Sequence, residues 1–328
     1  MPDTPALQEV FGQSTVQWPG FGFPVVRLLG LFHTGTGVLL KLVVAPLLTQ
    51  DLAQVQAVHP ALQPGDVLVA DRGLCSYAHL ALLVQAGVHA VLRVWARQIV
   101  DFTPGRPFVT PGVRRTPAVK GVPCSRWRKA LGVHDQLVTW LKPKTCPSWL
   151  TREALVALPE TLEVREVRYH IDRPGFRTRQ ITLVTTLLDA ETYGVADLAG
   201  LYRQRWQVET ALAQLKTTMK MDVLHCKTVP GVLKELTIFA IVYNLVRLVM
   251  GQAARLQHIG GARISFLDAL RWLGAPSTRT PLAAFIVNPK RPHRVEPRVK
   301  MRRPKPFPLM IKPRQTLRQQ LVEYEPRG

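Results

Sequence analysis

Apolar and polar positions follow several distinct rhythms along this chain, and each rhythm predicts an element. Residues 23–45 hold two branched, apolar runs on either side of Thr34-Gly35-Thr36-Gly37, the layout of a β-hairpin. Residues 48–58 predict a short helix that His59-Pro60 ends. A turn then releases Val67-Leu68-Val69-Ala70, whose length and branching predict a buried strand. A helix over 77–86 and a strand over 90–95 complete a βαβ unit. Further strands are predicted at 161–171 and 176–186, around the turn Asp172-Arg173-Pro174-Gly175. Two long helices, 195–219 and 231–254, follow. Residues 1–20 are punctuated by Pro2, Pro5, Gly12, Pro19 and Gly20 and predict an extended lead-in.

Two stretches break these rhythms. Residues 96–178 are rich in Pro, Gly and basic side chains and carry Trp127, Trp140 and Trp149; residues 97–144 hold ten Lys and Arg against Asp101 and Asp135. Residues 289–314 combine ten basic residues, one acid and frequent Pro, which excludes a helix and predicts an extended arm. Over the whole chain 43 Lys and Arg face 22 Asp and Glu, a net charge of +21. That balance favours a polyanionic partner, nucleic acid before an anionic membrane surface. The 47% hydrophobic content argues for a folded body rather than a basic tail.

Cys75, Cys124, Cys146 and Cys226 are scattered without C-x2-C spacing, so neither a zinc site nor a disulfide framework is indicated. The first residues lack the basic start and apolar segment of a signal peptide. The longest apolar run, 236–246, is too short to span a bilayer. A soluble, cytoplasmic protein, nucleoid-associated when bound to DNA, is expected.

The richest chemistry lies in residues 198–221. Tyr202, Arg205, Glu209 and Lys216 are spaced by three, four and seven residues, which on an α-helix at about 100° per residue places them within an arc of roughly 60°. Leu201, Val208, Leu212, Leu215 and Met219 form an apolar arc beside them. A salt-bridged amphipathic helix accounts for the apolar arc equally well. Upstream, Asp71 stands at the carboxyl end of the strand 67–70, where α/β sheets place ligand-binding side chains. An ordinary turn residue paired with Arg72 is the other reading.

Tyr202-x2-Arg205-x3-Glu209-x6-Lys216 resembles the signature on the last catalytic helix of DDE transposases of the insertion-sequence 4 family. Asp71-Arg72-Gly73 resembles the form their second catalytic Asp takes, and Tyr243-Asn244-x2-Arg247 a pattern that follows the Glu helix. The resemblance covers nearly the whole chain. It implies an α/β, ribonuclease-H-like core, a mixed sheet flanked by helices and interrupted by a basic, β-containing insertion. The expected division is 1–95 and 179–288 for the core, 96–178 for the insertion and 289–328 for the basic arm. It implies that Asp71 and Glu209 are catalytic ligands of a two-Mg²⁺ site, and that Tyr202, Arg205 and Lys216 contact DNA phosphates. Arg298, Arg302 and Arg303 of the arm would add phosphate contacts without sequence choice. Double-stranded DNA, as terminal inverted repeats and target, is the implied partner, bound by a homodimer, with no membrane involved. An aromatic of the insertion would stack on a displaced base, and no single Trp is marked for it.

The family uses three carboxylates, the first on a strand upstream of the hairpin. Here only Asp3 precedes residues 23–45, with no strand to hold it. The expectation is therefore that Met1 is an internal methionine, that the first strand and its Asp lie outside the chain, and that metal is held incompletely. A catalytically inactive DNA-binding protein, or an inhibitor of transposition, is the alternative. A basic scaffold of the ribosomal kind gives no reason for the four residues of the helix to align.

Overall fold

The computed structural model describes residues 1–14, 22–112, 119–171, 180–275, 281–285, 287 and 312–323. In chain order they form α1 (Pro5–Phe11), β1 (Val26–Phe32), β2 (Leu39–Pro46), α2 (Asp51–Gln54), β3 (Val67–Ala70), α3 (Tyr77–Gln85), β4 (His89–Arg93), β5 (Ser125–Gly132), β6 (Asp135–Leu141), α4 (Arg152–Ala157), β7 (Thr161–His170), β8 (Gln180–Thr185), α5 (Val195–Gln204), α6 (Trp206–Ala213), α7 (Val229–Leu256), α8 (Phe266–Gly274) and α9 (Arg314–Glu323). They fall into two compact units: Gln50–Thr210, and Met1–Thr49 together with Ala211–Gly328. The turn at 172–175 and most of the arm lie outside the described residues.

The unit Gln50–Thr210 is built on a six-stranded sheet of order β3-β4-β8-β7-β6-β5. β3 and β4 are parallel, as a βαβ unit requires, and every other neighbouring pair is antiparallel. This mixed α/β arrangement of sheet and helices is consistent with the expected ribonuclease-H-like core. Strands from the basic stretch continue the sheet of β3 and β4, and the unit boundaries fall at 49/50 and 210/211. Ser76 opens α3 by accepting from the His79 amide at 3.2 Å, and Gly87, at φ +70°, takes the left-handed turn beyond its end. α5 packs on the sheet through Leu198 and Tyr202 against Val91, Val167, Ile181 and Leu183.

Strand alternation sorts the polar core of this unit onto two faces. On one, buried Arg165 donates to both oxygens of Asp135 at 2.8 and 2.6 Å and to the Tyr193 carbonyl at 2.6 Å. On the other, buried Glu166 accepts from Gln136 Nε2 at 2.9 Å and Trp140 Nε1 at 3.0 Å. Burial raises the Glu166 carboxyl above its ordinary range, partly offset by these donors and by Arg106 and Arg168. Trp140 is thereby a core residue.

In the other unit β1 and β2 form the predicted hairpin as a separate two-stranded sheet. α7 supplies most of the core, burying Val232, Leu236, Tyr243, Val246, Val249, Met250 and Ala253 with Leu7, Phe11 and Leu39. Tyr243, Asn244 and Arg247 serve the hairpin: Asn244 exchanges two hydrogen bonds of 2.9 Å with the Leu39 backbone, and Tyr243 donates to the Gly37 carbonyl at 2.8 Å. Gly37 is required there, because its φ is +72° and a Cβ would fall 2.9 Å from the Arg247 guanidinium carbon. The extended lead-in is corrected by α1: Thr4 caps it, and Pro5 sits in the first turn, where its missing N–H costs nothing. Among the described residues no helix is long and apolar enough to cross a membrane.

Candidate active site

Asp71 follows β3 directly and begins a tight turn, Arg72–Leu74, with Oδ1 accepting from the Arg72 amide at 2.6 Å. This leaves Oδ2 pointing elsewhere. In the parallel register Ala70 pairs with Leu92, so one residue further Asp71 and Arg93 stand side by side at the carboxyl ends of β3 and β4. The turn is anchored from below, where His79 Nδ1–H donates to the Leu74 carbonyl at 2.7 Å. Burial lowers the His79 imidazole to about 4, so it is neutral in this bond. Burial also raises the Cys75 thiol to about 12, which removes it as a thiolate ligand.

The segment expected to be one regular helix is not. The Arg205 amide bonds back three residues to the Tyr202 carbonyl at 3.1 Å, α6 restarts at Trp206, and Gln214–Thr218 winds as a π-helix. No Pro or Gly in the sequence marks either change. The single stripe counted at 100° per residue is accordingly corrected. Tyr202 is buried, 2% exposed, in the core beneath α5. Its phenol is raised by burial, with Arg205 and Arg93 opposing and Asp71 adding to the shift. Lys216 is exposed in the π-helical turn and belongs to the other unit. Arg298, Arg302 and Arg303 lie outside the described residues.

What the fold does join is Asp71, Arg205 and Glu209. Arg205 Nη2 donates to Glu209 Oε1 at 3.1 Å, and Nη1 lies 4.0 Å from Asp71 Oδ2. Its side chain is only 15% exposed, whereas those of Glu209 and Asp71 are 51% and 52% exposed. The guanidinium carbon stands 5.7 Å from the Tyr202 ring centre and 5.2 Å from that of Trp206, so two aromatic faces hold it over the acids. Arg93 and the half-exposed Trp206 also belong to this neighbourhood, and no motif singled them out. The cue for Arg93 is positional, since it ends the strand parallel to β3.

Two accessible carboxylates form a hard oxygen donor set of the kind that suits Mg²⁺ or Mn²⁺, the remaining positions being left to water or phosphate oxygens. Among the described residues no group of three or more His, Cys, Asp or Glu side chains converges. Cys75, Cys146 and Cys226 are thiols rather than disulfides. Asp71 and Glu209 are the carboxylates that flank Arg205 here.

A strand-end Asp and a helical Glu thus meet one guanidinium in an α/β unit. The profile of the family described as Transposase DDE domain matches residues 12–245, and the chain belongs to that family. Among solved structures, it is similar to a piggyBac transposase in a synaptic complex with hairpin DNA, at 13% identity and a TM-score of 0.37. The likeness covers 79% of this chain and 50% of the other, so the chain spans half the length of that transposase. A search of curated proteins finds no match.

Proposed function

We propose that this chain is a DNA transposase of the insertion-sequence 4 kind, in which Asp71 and Glu209 are the ligands of catalytic Mg²⁺. The observation that carries the reading is Arg205, whose one guanidinium addresses two carboxylates from motifs far apart in the sequence. A divalent cation held by them supplies Lewis-acid charge at a DNA phosphate and lowers the pKa of bound water. The chain's own part is positional. Asp71 is fixed by its turn, Glu209 by α6, and Arg205 offers a cationic donor to a phosphate beside the reacting one, while Lys216, in the other unit, offers a further phosphate contact. Tyr202, by its burial, supports Arg205. Arg298, Arg302 and Arg303 add backbone contacts. The proposed substrate is duplex DNA at the element's ends, engaged by two copies of the chain. One observation favours a second reading, a DNA-binding form that does not cut: only two carboxylates meet among the described residues.

The test is a salt titration of binding to a short duplex by fluorescence anisotropy. Glu209→Gln and Asp71→Asn should bind as well as wild type or more tightly, because each removes a negative charge from the DNA face. Arg205→Ala and Lys216→Ala should each weaken binding several-fold and lower the salt slope by about one. Replacing Arg298, Arg302 and Arg303 together by Gln should lower it by about two to three. Equal loss of binding in the acid and base variants would show a face held together by ion pairs and no phosphate site.

A further inference from the structure

We infer that Arg205 is a built-in counter-ion that competes with the divalent cation for Asp71 and Glu209, so that the DNA-free chain loads metal poorly. The inference rests on the assignment of those two acids as metal ligands and goes beyond it.

Glu209 Oε1 and Asp71 Oδ2 are the oxygens that Arg205 already addresses, at 3.1 and 4.0 Å. A Mg²⁺ or Mn²⁺ ion needs such oxygens at about 2.0–2.2 Å. The guanidinium occupies Glu209 Oε1 and its positive charge repels an arriving cation. Cation binding is therefore weaker while Arg205 stays in place. The packing gives Arg205 a defined position to defend, since its stem is largely covered and its plane lies near the rings of Tyr202 and Trp206. The acids, by contrast, are half-open to solvent. An ion pair of this kind in a partly exposed place is modest in strength, which suits a contact that must break. Arginine is also the side chain best matched to phosphate, which it grips through the same planar fork. A DNA phosphate can therefore take over the guanidinium as the cation takes over the acids.

The experiment is Mn²⁺ binding to the DNA-free full chain, followed through the electron paramagnetic resonance signal of the unbound ion. Arg205→Gln and Arg205→Met remove the charge, and the Met variant keeps an apolar stem against the two rings. Both should bind Mn²⁺ on the order of tenfold more tightly than wild type, the lower end of what a nearby opposite charge does to a carboxylate. Arg205→Lys, which keeps the charge, should stay close to wild type. Adding Glu209→Gln or Asp71→Asn to Arg205→Gln should cancel the gain. If neither neutral variant binds more tightly while Glu209→Gln still weakens Mn²⁺ binding, the competition is wrong and the site stands. If Mn²⁺ binding ignores Glu209→Gln and Asp71→Asn in every background, the site assignment falls and the competition with it.

Discussion

His79 carries no charge at neutral pH in this fold, because burial pushes its imidazole down to about 4 while its Nδ1–H holds the Leu74 carbonyl. The His59 ring stacks on it at 5.3 Å and is lowered in the same direction by burial. In the unfolded chain such a residue titrates near 6.5, so the unfolded state takes up the proton first as pH falls. The stability contributed by neutral His79 is complete above about pH 6.5 and is lost progressively down to about 4, a total on the order of 3 kcal/mol. Urea unfolding at a series of pH values should show wild type losing about 2–3 kcal/mol more than His79→Gln between pH 7 and 4. Parallel losses would mean that His79 is not buried as described. At this scale the motifs singled out Asp71, Arg205 and Glu209, which the fold brings to one guanidinium. Arg93 was not singled out, because its place beside Asp71 comes from the pairing of β4 with β3, which only the sheet order reveals. Tyr202 misled through its spacing: it shares a count with Arg205 and Glu209, yet with Leu198, one turn earlier, it faces the core.

The strands β3, β7 and β8 and the long helix α7 stand close to where hydrophobic rhythm placed them, since each has one strongly apolar face to bury. The hairpin of β5 and β6 left a weaker trace. β5 is the edge strand, carries Arg126, Arg128 and Lys129, and is broken by two register shifts, so alternation along it is lost. Register also decides that Asp135 meets Arg165, a pairing across two strands that no local pattern encodes. That pair is almost wholly buried, at 2.6 Å. Breaking it from one side should cost far more than replacing it. Asp135→Ala or Arg165→Met alone should destabilise by about 3–5 kcal/mol, because each leaves a buried charge unanswered. The double variant Asp135→Leu with Arg165→Met should recover most of that in denaturant unfolding. A double variant as unstable as the sum of the singles would show that the hydrogen bonds to the Asp189 and Tyr193 carbonyls, not the ion pair, hold this face together.

For the molecule as a whole, a net charge of +21 pointed to nucleic acid before any motif did, and family membership agrees with it. The basic stretch after residue 95 changes character because its strands meet solvent and charge, yet those strands hydrogen-bond into the sheet that carries Asp71. After β8 the chain returns to bring Arg205 and Glu209 to Asp71 at the end of β3. The central claim is that Asp71 and Glu209 share one cation, and localised iron chemistry tests it most directly. Fe²⁺ substituted for Mg²⁺ in the full chain, with ascorbate and peroxide, should cut the polypeptide near residues 71 and 209 together. Excess Mg²⁺ should suppress both cuts, and either Glu209→Gln or Asp71→Asn should abolish both. Cuts confined to other segments, or a cut near one residue that survives loss of the other, would contradict the shared site.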